Sequence, residues 1–425
     1  MSVTYLKKAK RPTISEDNDL RLRVEDMLRT FETRGEDAIA KAATDLDGWS
    51  GDIVVPRDVV ERAGESVPAD LRAAIGFAHA NVKRFAEAQR AALHDVEIEV
   101  IPGLRAGHRN IPLETAGCYV PGGRYAHIAS AIMSVTTAKV ACVPNIIACS
   151  PPRGGEGIPT AVLYALDLCG ADRILTLGGV QGIAALAFGS FGGRKADIIV
   201  GPGNPYVAEA KRQLFGRVAI DMFAGPTESM VIADATADPE IVAWDLIGQA
   251  EHGETSPVWL VSLDAGLAHA VMDLVPKLLA TLLEPNRSNA QKAWDGLAEV
   301  AIVESREEAV TLSDAYACEH LQVQCSDLTW WTGNLRNYGS LFLGQETTVA
   351  FGDKVSGPNH ILPTVTAARY TGGLSVGKFL KTVTWQRMTR EAIAPIAEAC
   401  ALISRHEGME GHARTADIRL QKFFS

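Results

Sequence analysis

Gln249 and His252 stand three residues apart in Gly248-Gln249-Ala250-Glu251-His252-Gly253, so a helix there turns both side chains to one face. Three polar clusters follow far downstream: Cys318-Glu319-His320, Gly352-Asp353-Lys354-Val355-Ser356-Gly357-Pro358-Asn359-His360, and Glu407-Gly408-Met409-Glu410-Gly411-His412. With Asp353 and His412, the Gln249 amide and His252 imidazole could form an N/O shell for a divalent metal of the zinc type. Glu319 and His320 would be the proton-handling pair beside it. The combination points to a metal-assisted enzyme. Each member also has a plainer reading. A lone helical His is more often a packed or surface residue, Asp353 suits a turn, and His412 has His406, Arg405 and Arg414 near it, as on a solvated face. Spacing does not decide between these readings, because the residues lie on separate segments.

The elements that must position these groups read as α/β. Residues from about Asn18 to His94 are amphipathic helix, clearest over Leu20 through Glu32 and Ala69 through Leu93, with another helix opening at Asp58 through Glu61. Such a lead is expected to pack or dimerise rather than to catalyse. Val96 through Val100 alternates like a strand, and Gly117 through Val120, Ile146 through Cys149, Arg173 through Thr176 and Ile198 through Val200 continue as strands with helices between. A second series comprises Met230 through Ala233, Val258 through Val261, Val300 through Val303 and Ser340 through Leu343. Two turns, Leu177-Gly178-Gly179-Val180-Gln181-Gly182 and Gly201-Pro202-Gly203-Asn204, each follow a strand and precede a helix, where backbone N–H groups can meet a phosphate. Neither is the G-x-G-x-x-G fingerprint, and nucleotide binding and a bare turn stay equally open. The tail reads as helix over Lys378 through Thr389 and Arg390 through Arg405.

Composition narrows the classes. At 425 residues the chain exceeds one core's usual size, and 47% hydrophobic with 22% charged residues excludes wholesale disorder. A net charge of -10 argues against nucleic acid and an anionic membrane surface as partners, while leaving a locally basic pocket open. The seven cysteines show no Cys-x-x-Cys spacing and read as reduced thiols; Cys318, in an apolar flank, reads as a core thiol before a nucleophile. The basic start lacks a signal peptide's apolar run, and no stretch reaches membrane-spanning length, so a cytoplasmic protein is expected.

From roughly Leu113 to Leu420 the chain resembles the histidinol dehydrogenase family. The matching stretches are Tyr119-Val120-Pro121-Gly122-Gly123, Gly178-Gly179-Val180-Gln181, Gly201-Pro202-Gly203-Asn204, Ala224-Gly225-Pro226-Thr227-Glu228, Gln249 through Gly253, Glu319-His320, Ser356 through Thr364, and Glu407 through His412. The resemblance implies zinc on Gln249, His252, Asp353 and His412, and Glu319 with His320 as the catalytic pair. It places His360, Glu407 and Thr227 against substrate, and Tyr119, Gln181 and Asn204 against NAD. It further implies a homodimer whose C-terminal tail crosses over, so that Glu407 and His412 complete the partner's site. The implied chemistry is NAD-dependent oxidation of a primary alcohol through an aldehyde to a carboxylate. The intact proton-handling pair argues against a non-catalytic metal- or nucleotide-binding relative.

The expected fold is two nucleotide-fold-like parallel-sheet units with helical N-terminal and C-terminal extensions. Residues 1–95 form the helical lead, 96–217 an NAD-binding unit, 218–375 a second unit with zinc and catalytic residues, and 376–425 the tail. The substrate-facing segments depart from the histidinol-oxidising pattern. Thr227 replaces a usual serine, Arg124-Tyr125-Ala126-His127-Ile128-Ala129-Ser130 follows the shared glycines, and Ala368-Arg369-Tyr370-Thr371-Gly372-Gly373-Leu374 replaces an Ala-Arg-Phe-Ser-Ser-Pro-Leu type segment. This version resembles the sulfopropanediol 3-dehydrogenase branch, which oxidises 2,3-dihydroxypropane-1-sulfonate to 3-sulfolactate. A small anionic polyol-sulfonate would need positive donors, for which Arg124, His127 and Arg369 are the candidates. Taken singly, the two arginines read equally well as surface or backbone-binding residues. L-histidinol, in histidine biosynthesis, is the alternative substrate.

Overall fold

The computed structural model describes residues 3–10, 18–122, 126–222 and 225–424. Two compact units divide the chain: Met1–Ala88 with Leu113–Phe379, and Gln89–Pro112 with Leu380–Ser425.

The larger unit contains two sheets. In the first, Arg173–Thr176, Asn145–Ser150, Thr115–Tyr119, Ile198–Val200 and Ala219–Ile220 run parallel in that spatial order. Thr115–Tyr119 and Ile198–Val200 are buried throughout, as parallel strands covered on both faces must be. In the second, Glu299–Ile302, Val258–Ser262, Ser229–Ala233, His320–Gln324 and Ser340–Leu343 are parallel, and Thr4–Lys7 adds an antiparallel edge. Counted by chain order within each sheet, with that edge set aside, both read 3-2-1-4-5. The doubly wound order thus occurs twice.

Val24, Leu28 and Phe31 recur at helical spacing on Asn18–Arg34 and bury one stripe. With Ile39 and Ala43 of Glu36–Asp47 they pack into the first sheet's core beside Leu175, Leu177 and Ile183. Gly48 ends the second of these helices in the left-handed conformation. On the second sheet, Pro239–Ala250 starts where Asp238 accepts from the Glu240 and Ile241 N–H groups, with Pro239 pre-set for the first turn. It buries Val242, Ala243, Leu246 and Ile247 against Val231 and Leu260.

The smaller unit is an antiparallel sheet with Leu104–Pro112 between Val96–Ile101 and Leu380–Met388. Its helices Ile393–His406 and Glu410–Phe424 meet through Ala397, Ala401, Ala413 and Ala416, flanked by Ile393 and Leu420. The expectation of helix over residues 378–389 is corrected here to strand. Thr382, Val383, Thr384 and Trp385 are β-branched or aromatic and pair in continuous register with Asn110 through Gly107. Among the described residues no helix is long and apolar enough to cross a membrane.

Candidate active site

In the first sheet the strand order reverses between Thr115–Tyr119 and Ile198–Val200, and doubly wound sheets open a crevice at the carboxyl ends there. Pro121 and Gly122 follow one strand and Pro202, Gly203 and Asn204 the other; all line a cavity of about 590 Å³. The second sheet contributes its amino ends: Thr227 lies just before Ser229–Ala233, and Glu319 just before His320–Gln324.

Gly201 has φ +122°, and a Cβ on it would lie 1.9 Å from the Tyr119 carbonyl oxygen, so only glycine fits. Lys211 Nζ donates to the Gly201 carbonyl at 2.9 Å, and Asp221 Oδ2 accepts from the Gly201 N–H at 2.7 Å. The two side chains are buried and paired with each other, which holds this turn from both sides. Asn204 caps Pro205–Leu214 by accepting from the Val207 N–H at 3.1 Å. Tyr119 and Gln181 are buried and do not line the cavity. The Gly179 N–H donates to Tyr119 Oη at 3.1 Å, and Gln181 Nε2 donates to Asp47 Oδ2 at 2.7 Å. Asp47 also accepts from the Gly178 N–H at 3.3 Å, so the helical lead shapes this turn as well as packing beneath it.

Gln249, His252, Glu319, His320, Asp353 and His360 come together around the same cavity, with Thr227 and His127. Pro239–Ala250 ends just after Gln249, but Glu251 keeps right-handed helical angles, so the helical turn carries on toward His252. His320 Nδ1 lies 3.2 Å from the Glu228 carbonyl oxygen and 3.4 Å from Glu319 Oε2, while Nε2 lies 3.5 Å from Asp353 Oδ1. A carbonyl only accepts, so the neutral ring carries its proton on Nδ1 and leaves the Nε2 lone pair free. The Glu228 N–H donates to Glu319 Oε2 at 3.1 Å, and the His320 N–H donates to the Glu228 carbonyl at 3.1 Å. Burial raises the Glu319 carboxyl. Burial would lower His320, but the adjacent carboxylates of Glu319 and Asp353 outweigh it and hold the imidazole above its ordinary range.

His360 Nδ1 faces the Asp353 carbonyl at 3.0 Å and Nε2 the Ser130 hydroxyl at 3.1 Å. Burial pushes His360 down to about 4 against the pull of Asp353. Burial, then Lys354 and His252, push His127 down to about 4. His127, expected as a cation, is therefore a neutral group at pH 7. Arg369 does not line the cavity; its guanidinium donates to the Ala315 carbonyl. Arg124 lies outside the described residues. Cys318 is buried, donates to the His320 carbonyl at 3.3 Å and is pushed far up by burial, the state of an inert core thiol.

The donor set suits a metal of the zinc type. Gln249 Oε1 is buried with no hydrogen-bond partner, a costly state for an amide oxygen that coordination would relieve. His252 and Asp353 line the cavity with it. Among the described residues no group of three or more His, Cys, Asp or Glu side chains could hold a metal by itself, so the set depends on this amide. Glu407 and His412 belong to the smaller unit, the first ending Ile393–His406 and the second within Glu410–Phe424.

One half-buried carboxylate missed in the sequence ties three of these elements. Asp245, one turn before Gln249, accepts from Gln322 Nε2 and Gln324 Nε2 at 2.6 Å each. It also accepts from Thr348 Oγ1 at 2.7 Å. Gln322 and Gln324 share a strand face with His320, and Thr348 opens Val349–Lys354, which carries Asp353.

A family model described as histidinol dehydrogenase matches residues 9–420. A histidinol dehydrogenase homolog of Ruegeria pomeroyi is 62% identical, covering 99% of this chain and 98% of its own. A sulfopropanediol 3-dehydrogenase of the same organism is 56% identical over 100% of this chain and 98% of its own. The crystal structure of histidinol dehydrogenase from Elizabethkingia anophelis superposes with a TM-score of 0.92 at 34% identity, covering 98% of this chain and 95% of that one. With its two doubly wound sheets and its Glu319–His320 cavity, the chain belongs to the histidinol dehydrogenase family of dehydrogenases.

Proposed function

We propose that this protein is a zinc- and NAD-dependent dehydrogenase that oxidises 2,3-dihydroxypropane-1-sulfonate through an aldehyde to 3-sulfolactate, in sulfonate catabolism in the cytoplasm. The observation that carries the chemistry is the buried Glu319–His320 pair facing one cavity with Gln249, His252 and Asp353. Full-length similarity to a sulfopropanediol 3-dehydrogenase directs the reading to the sulfonate.

Zinc on Gln249, His252, Asp353 and His412 would supply Lewis acidity and a template for the substrate's oxygens. NAD, against Asn204 and the turns braced by Tyr119 and Gln181, would supply the hydride acceptor. The chain's own groups move the protons. In its neutral form, with the proton on Nδ1, His320 takes the hydroxyl proton on Nε2 as the first hydride leaves the alcohol carbon. Glu319 takes a proton from water as its oxygen adds to the aldehyde carbon, and protonated His320 returns its proton to the former carbonyl oxygen, which gives the hydrate and leaves Nε2 free again. His320 then takes a proton from the resulting hydrate as the second hydride leaves for a second NAD, giving the carboxylic acid, which ionises to the carboxylate. Thr227, His360 and Glu407 orient the substrate. A second copy of the chain supplies Glu407 and His412.

The test is NADH formation by the zinc-loaded protein with 2,3-dihydroxypropane-1-sulfonate and L-histidinol side by side. The sulfonate diol should be turned over by far the faster; turnover of histidinol alone makes the protein a biosynthetic histidinol dehydrogenase instead.

A further inference from the structure

An anionic substrate needs a fixed positive charge within reach of the reacting carbon, and the candidates named from sequence do not provide one among the described residues. Arg369 does not line the cavity and donates to a backbone carbonyl, Arg124 lies outside the described residues, and His127 is an imidazole, not a fixed cation. Lys354 is the one described cavity-lining residue with a permanent positive charge. It ends Val349–Lys354 and follows Asp353 directly, and its side chain is exposed. Among the described residues its ammonium has no ion-pair partner, so it is not simply the counterion of Asp353. It lines that cavity together with Asp353, His252, His360 and His127, which come from separate segments.

The sulfonate sits two carbons from the alcohol carbon that is oxidised, and Asp353 Oδ1 is 3.5 Å from His320 Nε2. A lysine next in sequence to Asp353 has a flexible four-carbon stem, long enough to reach the far end of a three-carbon substrate. We propose that Lys354 Nζ binds the sulfonate and sets the preference for an anionic diol over a cationic amino alcohol. The same charge that attracts a sulfonate repels the ammonium of histidinol, so attraction and rejection come from one side chain. The inference rests on the functional reading above.

Lys354→Gln and Lys354→Arg test it in the zinc-loaded, full-length protein. The measurements are KM for 2,3-dihydroxypropane-1-sulfonate, KM for NAD, inhibition by propane-1-sulfonate, and bound zinc per chain. K354Q should raise the KM for the sulfonate diol by about tenfold or more, the scale of a lost charge-assisted hydrogen bond. It should lose inhibition by propane-1-sulfonate and keep its zinc and its KM for NAD. K354R should stay within about threefold of the wild type. An unchanged KM in K354Q overturns the assignment while leaving the function standing. So does a rise matched by loss of zinc, since the lysine would then serve the metal site. A wild-type protein that turns over histidinol and ignores the sulfonate diol overturns the function, and this assignment with it.

Discussion

Glu228 supports the catalytic pair through its backbone, while its own carboxyl is poorly supported: Oε1 accepts from the Val365 N–H at 3.1 Å, and Oε2 is buried without a partner. Burial pushes this group up from 4.5 to about 7, against the lowering effect of its backbone hydrogen bonds. A carboxyl whose folded pKa lies above its unfolded value binds protons more tightly in the folded state. Its contribution to stability is complete below the unfolded value and is lost as pH rises through about 7. Glu228→Gln cannot ionise, so it should match the wild type at pH 5 and be more stable at pH 8 by about 2 kcal/mol. Thermal unfolding of zinc-free protein at both pH values reads this out, and an equal offset at both would refute the assignment. Glu228 and Lys354 both stand inside sequence motifs whose neighbouring residues drew the chemical reading. Motifs name residue types, whereas a missing hydrogen-bond partner or a place on a cavity wall belongs to the environment and emerges only on folding. Glu319, His320, Gln249, His252 and Asp353, singled out in the sequence because coordination and proton transfer would demand those types, meet around one cavity.

Among elements, the Asp245 cluster joins Pro239–Ala250, His320–Gln324 and the start of Val349–Lys354. Asp245→Ala leaves the Gln324 amide and the Thr348 hydroxyl unpaired, reduces Gln322 Nε2 to its bond with the Thr347 carbonyl, and loosens the two elements proposed to carry zinc ligands from the strand that carries His320. Zinc affinity should fall by about 10–100-fold, the usual cost of removing a group that orients ligands, alongside a lower unfolding temperature. Asp245→Asn should recover most of the affinity, because Gln322 Oε1 and Gln324 Oε1 are buried without partners and can accept from the new amide. Competition with a chelating dye separates the variants; an alanine protein that holds zinc as tightly as the wild type would dismiss the role. The same glutamines hid His320–Gln324 from sequence reading, since polar residues in a fully buried strand break the apolar run on which recognition depends. Arg173–Thr176, Ile198–Val200 and Ser340–Leu343 fell where expected because apolar runs bounded by turns leave little choice.

For the whole molecule, each unit is assembled from distant stretches of chain, and Leu380–Met388 finds its partner in Leu104–Pro112. Local periodicity carries no signal for pairing across that separation, which is why this strand reads as helix in the sequence. The proposed exchange of Glu407 and His412 between copies belongs at this scale. Mixing His320→Ala with His412→Ala protein under subunit exchange should restore about a quarter of wild-type activity, since half the dimers carry both lesions on one side and one intact centre on the other. If both groups act within one chain, the mixture stays dead. The opposed presentation of the two sheets has a further consequence for how such an enzyme can vary. The turns after Ala233 and Gln324 sit at the far ends of strands whose near ends carry the chemistry, about 16 Å away along each strand. Insertions, fusions and drift can accumulate on that remote rim without a price in turnover, so lineages of this enzyme can acquire new attachments there while the reaction stays the same.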